Sequence, residues 1–145
     1  TGGLIAAKIT SVAGASRVFE GGFVTYSNEI KSNVLGVSAV NLLNDGAVSE
    51  SVVKEMAFGA LNITAANLAV AVSGIAGPGG GSEEKPVGTV WLSWGEKNNI
   101  KSQKLFYPGP RDYFQEYVAS AALDLIRREL LGLTEEPWYF NPANK

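Results

Sequence analysis

The pattern of apolar and polar positions in the first residues of the chain predicts one helix and one strand. Between residues 4 and 12 the apolar side chains recur at helical spacing, and Gly14 can end that helix. Residues 17–27, RVFEGGFVTYS, are rich in aromatic and β-branched side chains, which favours a strand with a bulge at Gly21-Gly22. A helix so close to the first residue predicts that the sequence begins in the middle of a domain.

Three further helices are predicted by polar caps that precede apolar stretches. The first begins at Ser27 or Asn28, runs through Leu35 and ends at Gly36. The second covers residues 38–46. The third is capped by Ser49 and runs to about residue 65, with its apolar side chains on one face.

The second half of the chain predicts three strands and a long helix. Residues 67–74, NLAVAVSG, are mostly apolar, as in a strand of a sheet that is covered on both faces. Residues 88–95 and 100–107 predict an antiparallel hairpin, residues 111–131 a final helix, and residues 132–145 an irregular tail on the domain surface. We therefore expect an α/β fold, a layered α/β/α domain with a mixed sheet that includes this C-terminal antiparallel hairpin.

Composition limits the chemistry more than the fold. The 145 residues, 46% hydrophobic and 18% charged, suit one globular domain. The net charge of −2 comes without a basic stripe, so no nucleic-acid partner is expected, and the apolar runs are too short to predict a membrane span. Cysteine and histidine are both absent from the sequence, which excludes Ser–His–Asp and Cys–His nucleophile systems and most zinc sites. A general base must then be Lys, Asp, Glu or Tyr, and the lack of cysteine is compatible with a cytoplasmic location.

A glycine-rich loop follows the predicted strand 67–74. Residues 77–81 hold four glycines and one proline, and such a backbone can approach an anion closely. The segment is neither a G-x-G-x-x-G motif, because Ser82 occupies the last glycine position, nor a Walker loop. The pattern alone favours a mobile strand connection over a phosphate cradle.

The end of this loop spells S-x-x-K from Ser82 to Lys85, the nucleophile and base pattern of β-lactamase-like enzymes. That chemistry requires both residues on one helical turn, whereas Pro86 biases Lys85 away from a helix. We interpret the match as a coincidence and keep a separate Ser82–Lys85 hydrolase pair as the alternative.

The stretch TYSNEIK holds the best candidate base. Tyr26 ends the predicted strand 17–27, and Lys31 lies in the first turn or so of the helix that follows. The positive end of the helix dipole and partial burial would both lower the pKa of Lys31, as a neutral lysine base requires. The alternative is a solvated surface lysine.

Two further candidate sites lie at helix starts. Thr1, Gly2 and Gly3 could present a hydroxyl and backbone N–H groups to an oxyanion or a phosphate, or they could form an ordinary N-cap. Arg111 could bind a phosphate with its forked guanidinium, or it could pair with a carboxylate on the same helix.

Five stretches of the sequence together resemble a known family. TGGLIA, FEGGFVTYSNEIK, GAVSE, SGIAGPGGGSEEKPVGTVW and YPGPRD occur in this order, from Thr1 to about Leu131, as in the CinA C-terminal domain family. Members of that family include nicotinamide-nucleotide amidases, which hydrolyse nicotinamide mononucleotide to nicotinate mononucleotide and ammonia. The resemblance therefore implies an amidase whose substrate is a small nucleotide and which needs no metal and no cofactor.

The resemblance also implies roles for individual residues. The family nucleophile is a serine that would stand two residues before Thr1, with Lys31 as the base that activates it and Tyr26 as an aid to proton transfer. Thr1, Gly2 and Gly3 would lie beside that serine and receive the carbonyl oxygen or the ligand. Arg111 would bind the phosphate. One wall of the nucleotide pocket would come from residues of the glycine-rich stretch, namely Ser73, Gly74, Ala76, Gly77, Gly79 and Gly80.

The domain organisation implied by the resemblance is a single amidase domain over residues 1–145 that lacks the N-terminal helix and strand of the family. Pro110 stands where family members often carry an acidic residue, which is a departure in the loop before Arg111. The domain could act as a homo-oligomer or fused to an N-terminal domain. The alternative function is a nucleotide-binding or regulatory domain without catalysis.

Overall fold

The computed structural model describes residues 1–141. In this part of the chain the regular elements follow the order α1 (Leu4–Thr10), a 3₁₀ turn (Ala15–Arg17), α2 (Asn28–Leu35), α3 (Ala39–Asn44), α4 (Glu50–Ile63), β1 (Ala69–Gly74), β2 (Thr89–Glu96), β3 (Asn99–Phe106), α5 (Arg111–Leu130) and a second 3₁₀ turn (Trp138–Phe140).

The three strands form one sheet in the order β1-β2-β3, and both strand pairs are antiparallel. Val72 of β1 lies opposite Leu92 of β2, and Leu92 lies opposite Gln103 of β3. The predicted hairpin is confirmed, and its register pairs Glu96 with Asn99 across a two-residue turn.

Helices cover both faces of the sheet. Successive side chains of β2 point to opposite faces, so each face contributes apolar side chains to the packing. Val90, Leu92 and Trp94 pack with the buried side of α5 in one hydrophobic cluster. On the other face α4 lies against β1 and α2, and its side chains Val52 and Val53 are fully buried. The layered α/β/α architecture is therefore confirmed.

Helix α2 is positioned by its very close packing on α4. Gly59 of α4 faces the last turn of α2, and a Cβ atom at Gly59 would collide with the carbonyl group of Leu35. Ser27 accepts a hydrogen bond from the backbone N–H of Ile30, and Gly36 ends the helix in the left-handed conformation with φ of 70°. Both predicted caps of α2 are thus confirmed.

The predicted strand 17–27 is wrong. Residues 19–26 are irregular, and no strand of the described residues pairs with them. An apolar, β-branched sequence becomes a strand only when a neighbouring strand supplies hydrogen-bond partners, and here none does. For the same reason the sheet is antiparallel within residues 1–141, where the expectation was a mixed sheet.

The C-terminal segment packs more closely than a surface tail. Tyr139 is 7% exposed, belongs to the cluster beneath α5 and donates a hydrogen bond from its hydroxyl group to Asp124 Oδ2 at 2.9 Å. The expectation of an irregular surface segment is therefore wrong for Trp138–Phe140, whereas residues 132–137 have no helix or strand. Residues 142–145 of the predicted tail lie outside the described residues. Within residues 1–141 no helix is both long and apolar enough to cross a membrane.

Candidate active site

Lys31 is buried at the start of α2. Only 6% of the residue is exposed, and its Nζ donates a hydrogen bond to the backbone carbonyl of Thr25 at 2.8 Å and a longer one to the carbonyl of Tyr26 at 3.5 Å. Burial lowers the pKa of Lys31 below its ordinary value, because desolvation disfavours the ammonium form. The alternative of a solvated surface lysine is wrong.

Carboxylate groups do not compensate the charge of Lys31. None of the ion pairs between the described residues includes it. The two carbonyl acceptors orient the amine, but they do not neutralise it as an adjacent carboxylate would. Burial without a paired carboxylate thus shifts Lys31 towards its neutral form, the form that a general base requires.

Arg111 joins the region of Tyr26 to the glycine-rich loop. Its Nη2 donates to the Tyr26 hydroxyl group at 3.2 Å, and its Nη1 donates to the Gly77 carbonyl at 2.9 Å. Arg111 forms no ion pair with Asp112 or with Glu116, among the pairs of the described region. The guanidinium group keeps further N–H donors and a positive charge that no carboxylate neutralises.

Thr1 lies near this arginine. Its backbone nitrogen is close enough to the Arg111 guanidinium group to feel that charge. Gly2 and Gly3 have φ of 60° and 95°, a conformation that favours glycine. Gly3 is the N-cap of α1 and the cap has no side-chain hydrogen bond, so the Thr1 hydroxyl group takes no part in it.

An open depression of about 430 Å³ adjoins Thr1, Gly2 and Gly3. Its opposite side comes from the first two turns of α5, namely Asp112, Gln115 and Glu116. Lys31, Tyr26 and Arg111 are not part of its lining, so it extends the candidate site away from the base. Glu116 is paired with Lys8 at 2.7 Å.

The predicted wall residues differ in their surroundings. Gly74 is exposed, but a Cβ there would point into the core, 2.8 Å from Val90 and 3.0 Å from the ring of Phe114. Ala76 packs against the same cluster, and Gly77 is buried. Gly79 and Gly80 are exposed, and Ser73 is half-buried on β1 opposite Trp91.

The structure thus brings together only some of the predicted site residues. Arg111 links Tyr26 to Gly77 directly and lies near Thr1. Lys31 joins the same group because the Tyr26 carbonyl is the second acceptor of its amine. Among the described residues, no hydrogen bond joins Ser73, Gly79 or Gly80 to this group. Those three stay predictions.

The Ser82–Lys85 pair is not a nucleophile and base. The Ser82 hydroxyl group accepts a hydrogen bond from the backbone N–H of Lys85 at 3.1 Å, while Lys85 Nζ donates to the distant backbone carbonyl of Asp45. The lysine amine is therefore occupied away from the serine, as expected of a coincidental motif.

Sequence reasoning missed two residues of this region. Thr25 accepts the Lys31 hydrogen bond through its backbone carbonyl, and the sequence carries no signal for a main-chain acceptor. Gln115 lines the depression, with Nε2 3.8 Å from where a Cβ of Gly2 would stand. A signal for Gln115 existed, because residues four apart on α5 share a face with Arg111.

Comparison with known proteins gives consistent matches. The family described as CinA C-terminal domain matches residues 1–130. A CinA-like protein of Colwellia psychrerythraea is 55% identical over 139 residues, which are 96% of this chain and 32% of the relative. The chain spans about a third of the length of the first such relatives.

Two further proteins match over most of their own length. The protein named nicotinamide-nucleotide amidohydrolase PncC of Enterobacter agglomerans is 50% identical over 132 residues, 90% of this chain and 80% of that protein. The crystal structure of competence/damage inducible protein CihA from Agrobacterium tumefaciens superposes with a TM-score of 0.84 at 45% identity, covering 86% of this chain and 77% of that one. The chain therefore belongs to the CinA C-terminal domain family.

Proposed function

We propose that the domain hydrolyses the carboxamide of nicotinamide mononucleotide, giving nicotinate mononucleotide and ammonia. The observation that carries the proposal is the buried Lys31, whose pKa is lowered by desolvation and whose Nζ is held 2.8 Å from a fixed carbonyl. The relative named nicotinamide-nucleotide amidohydrolase supports the same substrate. The nucleophile in this proposal is a serine two residues before Thr1.

In the first step Lys31, as the neutral amine, takes the proton of the serine hydroxyl group while the oxygen attacks the carboxamide carbon. The carbonyl oxygen becomes an oxyanion, and the backbone N–H groups of Gly2 and Gly3 are proposed to donate hydrogen bonds to it. Neither N–H donates to another backbone carbonyl within the described residues. Collapse of the intermediate breaks the C–N bond, and the Lys31 ammonium returns its proton to the leaving nitrogen, which departs as ammonia.

Deacylation repeats the chemistry with water. Lys31, neutral again, takes a proton from the water that attacks the ester, and the serine leaves with that proton. Tyr26 is proposed to assist these transfers. Arg111 donates a hydrogen bond to the Tyr26 hydroxyl oxygen and so holds the phenol in place. The hydroxyl proton of Tyr26 can then be donated to another acceptor.

The phosphate of the nucleotide is assigned to Arg111. Among the described residues this arginine forms no ion pair, and its guanidinium can bind a phosphate with two parallel N–H groups. Ser73, Gly74, Ala76, Gly77, Gly79 and Gly80 complete the proposal as the pocket wall. Cytoplasmic location, fusion to another domain and self-association stay predictions.

The test is ammonia release from nicotinamide mononucleotide by the intact natural protein and by its Lys31→Met variant. Loss of the base should lower kcat roughly 1000-fold, since general bases contribute about 10²–10⁴. Lys104→Met, at an exposed lysine of β3, is the matched control and should keep full activity. Circular dichroism should show both variants folded.

Two outcomes would contradict the proposal. If the wild-type protein binds the mononucleotide but never releases ammonia, the alternative of a non-catalytic nucleotide-binding domain is correct. If Lys31→Met turns over like the control, the mechanism is wrong although the activity stands.

A further inference from the structure

The connection between β1 and β2, residues 75–88, is called the glycine loop here, and it is folded on itself. Its base is closed by hydrogen bonds from Ile75 N to Thr89 O and from Gly88 N to Ile75 O, both 2.8 Å. The side chain of Val87 lies so close to Gly77 that a Cβ there would stand 2.5 Å from Val87 Cγ1. The loop is therefore not a loose strand connection.

The tip of the glycine loop is a closed turn. Ser82 N donates to Lys85 O at 2.9 Å, and Lys85 N donates to the Ser82 hydroxyl oxygen at 3.1 Å. This turn fixes the direction in which the Lys85 side chain leaves the loop. Glu83 and Glu84, between them, are exposed.

Two side-chain hydrogen bonds tie the loop to other elements. At one end Arg111 donates to the Gly77 carbonyl at 2.9 Å. At the other end Lys85 Nζ donates to the Asp45 carbonyl, forty positions away in sequence, just before α4. None of the ion pairs between the described residues includes Lys85, so within residues 1–141 its ammonium group donates to this carbonyl and pairs with no carboxylate.

The segment that accepts the Lys85 bond is itself fixed. Ser51 donates from its hydroxyl group to Asp45 Oδ2 at 2.5 Å, and Ser49 donates to the Gly46 carbonyl at 2.8 Å while capping α4. Val52, in the first turn of α4, has no exposed surface. The Asp45 carbonyl is therefore a rigid attachment point.

The same helix α4 also positions the catalytic lysine. Its Gly59 packs against Leu35, the last residue of α2, and Lys31 lies one turn earlier on α2. Lys85 thus connects the pocket wall to the end of α3, and the Ser51 hydrogen bond to Asp45 connects that point to α4. The Arg111 contact then determines where the Gly77 end of the same wall lies.

We propose that Lys85 is a positioning residue for the amidase reaction, which fastens the tip of the glycine loop to the Asp45 carbonyl and so holds the pocket wall closed for the nucleotide. This inference rests on the proposed function. Lys85 acts through the loop and does not contact the substrate. It explains the Ser82–Lys85 stretch, in which the serine shapes the turn and the lysine attaches it.

The kinetic experiment compares Lys85→Met with Lys85→Arg in the intact natural protein. Methionine has nearly the length of lysine but cannot donate a hydrogen bond to the Asp45 carbonyl. The KM for nicotinamide mononucleotide should therefore rise about tenfold, which corresponds to the loss of one hydrogen bond from a charged donor near the surface. The kcat should stay within about twofold, because the loop does not hold Lys31. Arginine can still donate to the Asp45 carbonyl, and its KM should stay within about threefold of wild type.

Limited proteolysis without nucleotide separates positioning from direct substrate contact. A glutamate-specific protease should cut after Glu83 several-fold faster in Lys85→Met than in wild type, and Lys85→Arg should resemble wild type. A raised KM with unchanged cleavage would overturn the proposal, since Lys85 would then touch the substrate. Faster cleavage with unchanged KM would overturn it too, because the attachment would be irrelevant to the reaction.

Failure of the proposed function would look different. In that case the wild-type protein itself releases no ammonia, and no comparison of KM is possible. Cleavage after Glu83 then decides alone: equal rates in all three proteins overturn the attachment, and faster cleavage of Lys85→Met supports it.

Discussion

Gly59→Ala would test directly how the packing of two helices positions the base. A Cβ at Gly59 would lie 2.8 Å from the Leu35 carbonyl carbon and 3.0 Å from the Leu35 Cα, and the Leu35 carbonyl oxygen would be closer still. All three are backbone atoms, so no side-chain rotation can relieve the contact. Helix α2 must instead move away from α4 by roughly an ångström.

The net effect on stability is the difference between two opposing contributions. Alanine is favoured over glycine inside a helix by about 1 kcal/mol. Overpacking costs about 1–3 kcal/mol, and a backbone collision belongs at the upper end of that range. The variant should therefore lose about 2 kcal/mol of unfolding free energy, which lowers the Tm by roughly 5 °C in a chain of this length.

Catalysis should suffer more than stability. Lys31 lies one turn from Leu35 and moves with α2, and a misplacement of about 1 Å can lower kcat by up to about 100-fold. The assays are urea unfolding and ammonia release from nicotinamide mononucleotide. The control is Gly21→Ala, where no atom lies within 4 Å of the new Cβ and φ is not positive. A Gly59→Ala variant that gained about 1 kcal/mol, as in an unobstructed helix, would refute the reasoning.

Three further predictions concern Lys31, Arg111 and Tyr139. Burial lowers the pKa of Lys31 in the folded protein below its value in the unfolded chain, so between these two pKa values the folded protein binds fewer protons than the unfolded chain. The unfolding free energy of the wild type should therefore rise relative to that of Lys31→Met as the pH increases through this interval. A pH-independent difference between the two proteins would contradict the burial. Arg111→Met should raise the KM for nicotinamide mononucleotide roughly tenfold or more, and raise it less for the phosphate-free riboside; equal losses would exclude the phosphate contact. Tyr139→Phe removes the hydrogen bond to Asp124 and should cost about 1–2 kcal/mol in urea unfolding with ammonia release unchanged; unaltered stability would show that the C-terminal 3₁₀ turn does not stabilise the fold.

Local signals in the sequence were enough for most helices and for the hairpin. Ser27 and Gly36 bracket α2 because a hydroxyl cap and a left-handed glycine act within one helical turn. Strand 17–27 failed for the opposite reason, since a strand depends on a partner elsewhere in the chain and the pattern of its own residues cannot supply one.

The candidate site likewise has features that the local sequence predicts and features that depend on distant parts of the chain. The lack of histidine left Lys, Asp, Glu or Tyr as a possible general base, TYSNEIK offered Lys31 as the best candidate, and the family resemblance implied its role. Partial burial of Lys31 was anticipated, but its extent and the hydrogen bond to the Thr25 carbonyl were not predicted, because both depend on how closely α2 packs on α4. Likewise, Lys85 and Asp45 meet only through the fold, so a motif search could find the S-x-x-K letters but not the partner of the lysine.

The role of Lys31 is tested most directly by ammonia release from nicotinamide mononucleotide, measured in a single turnover for the wild-type protein and for Lys31→Met side by side. If Lys31 is the base, the wild type should release ammonia and the folded variant should do so roughly 1000-fold more slowly. Release at the wild-type rate by Lys31→Met would contradict the claim that this buried lysine is the base.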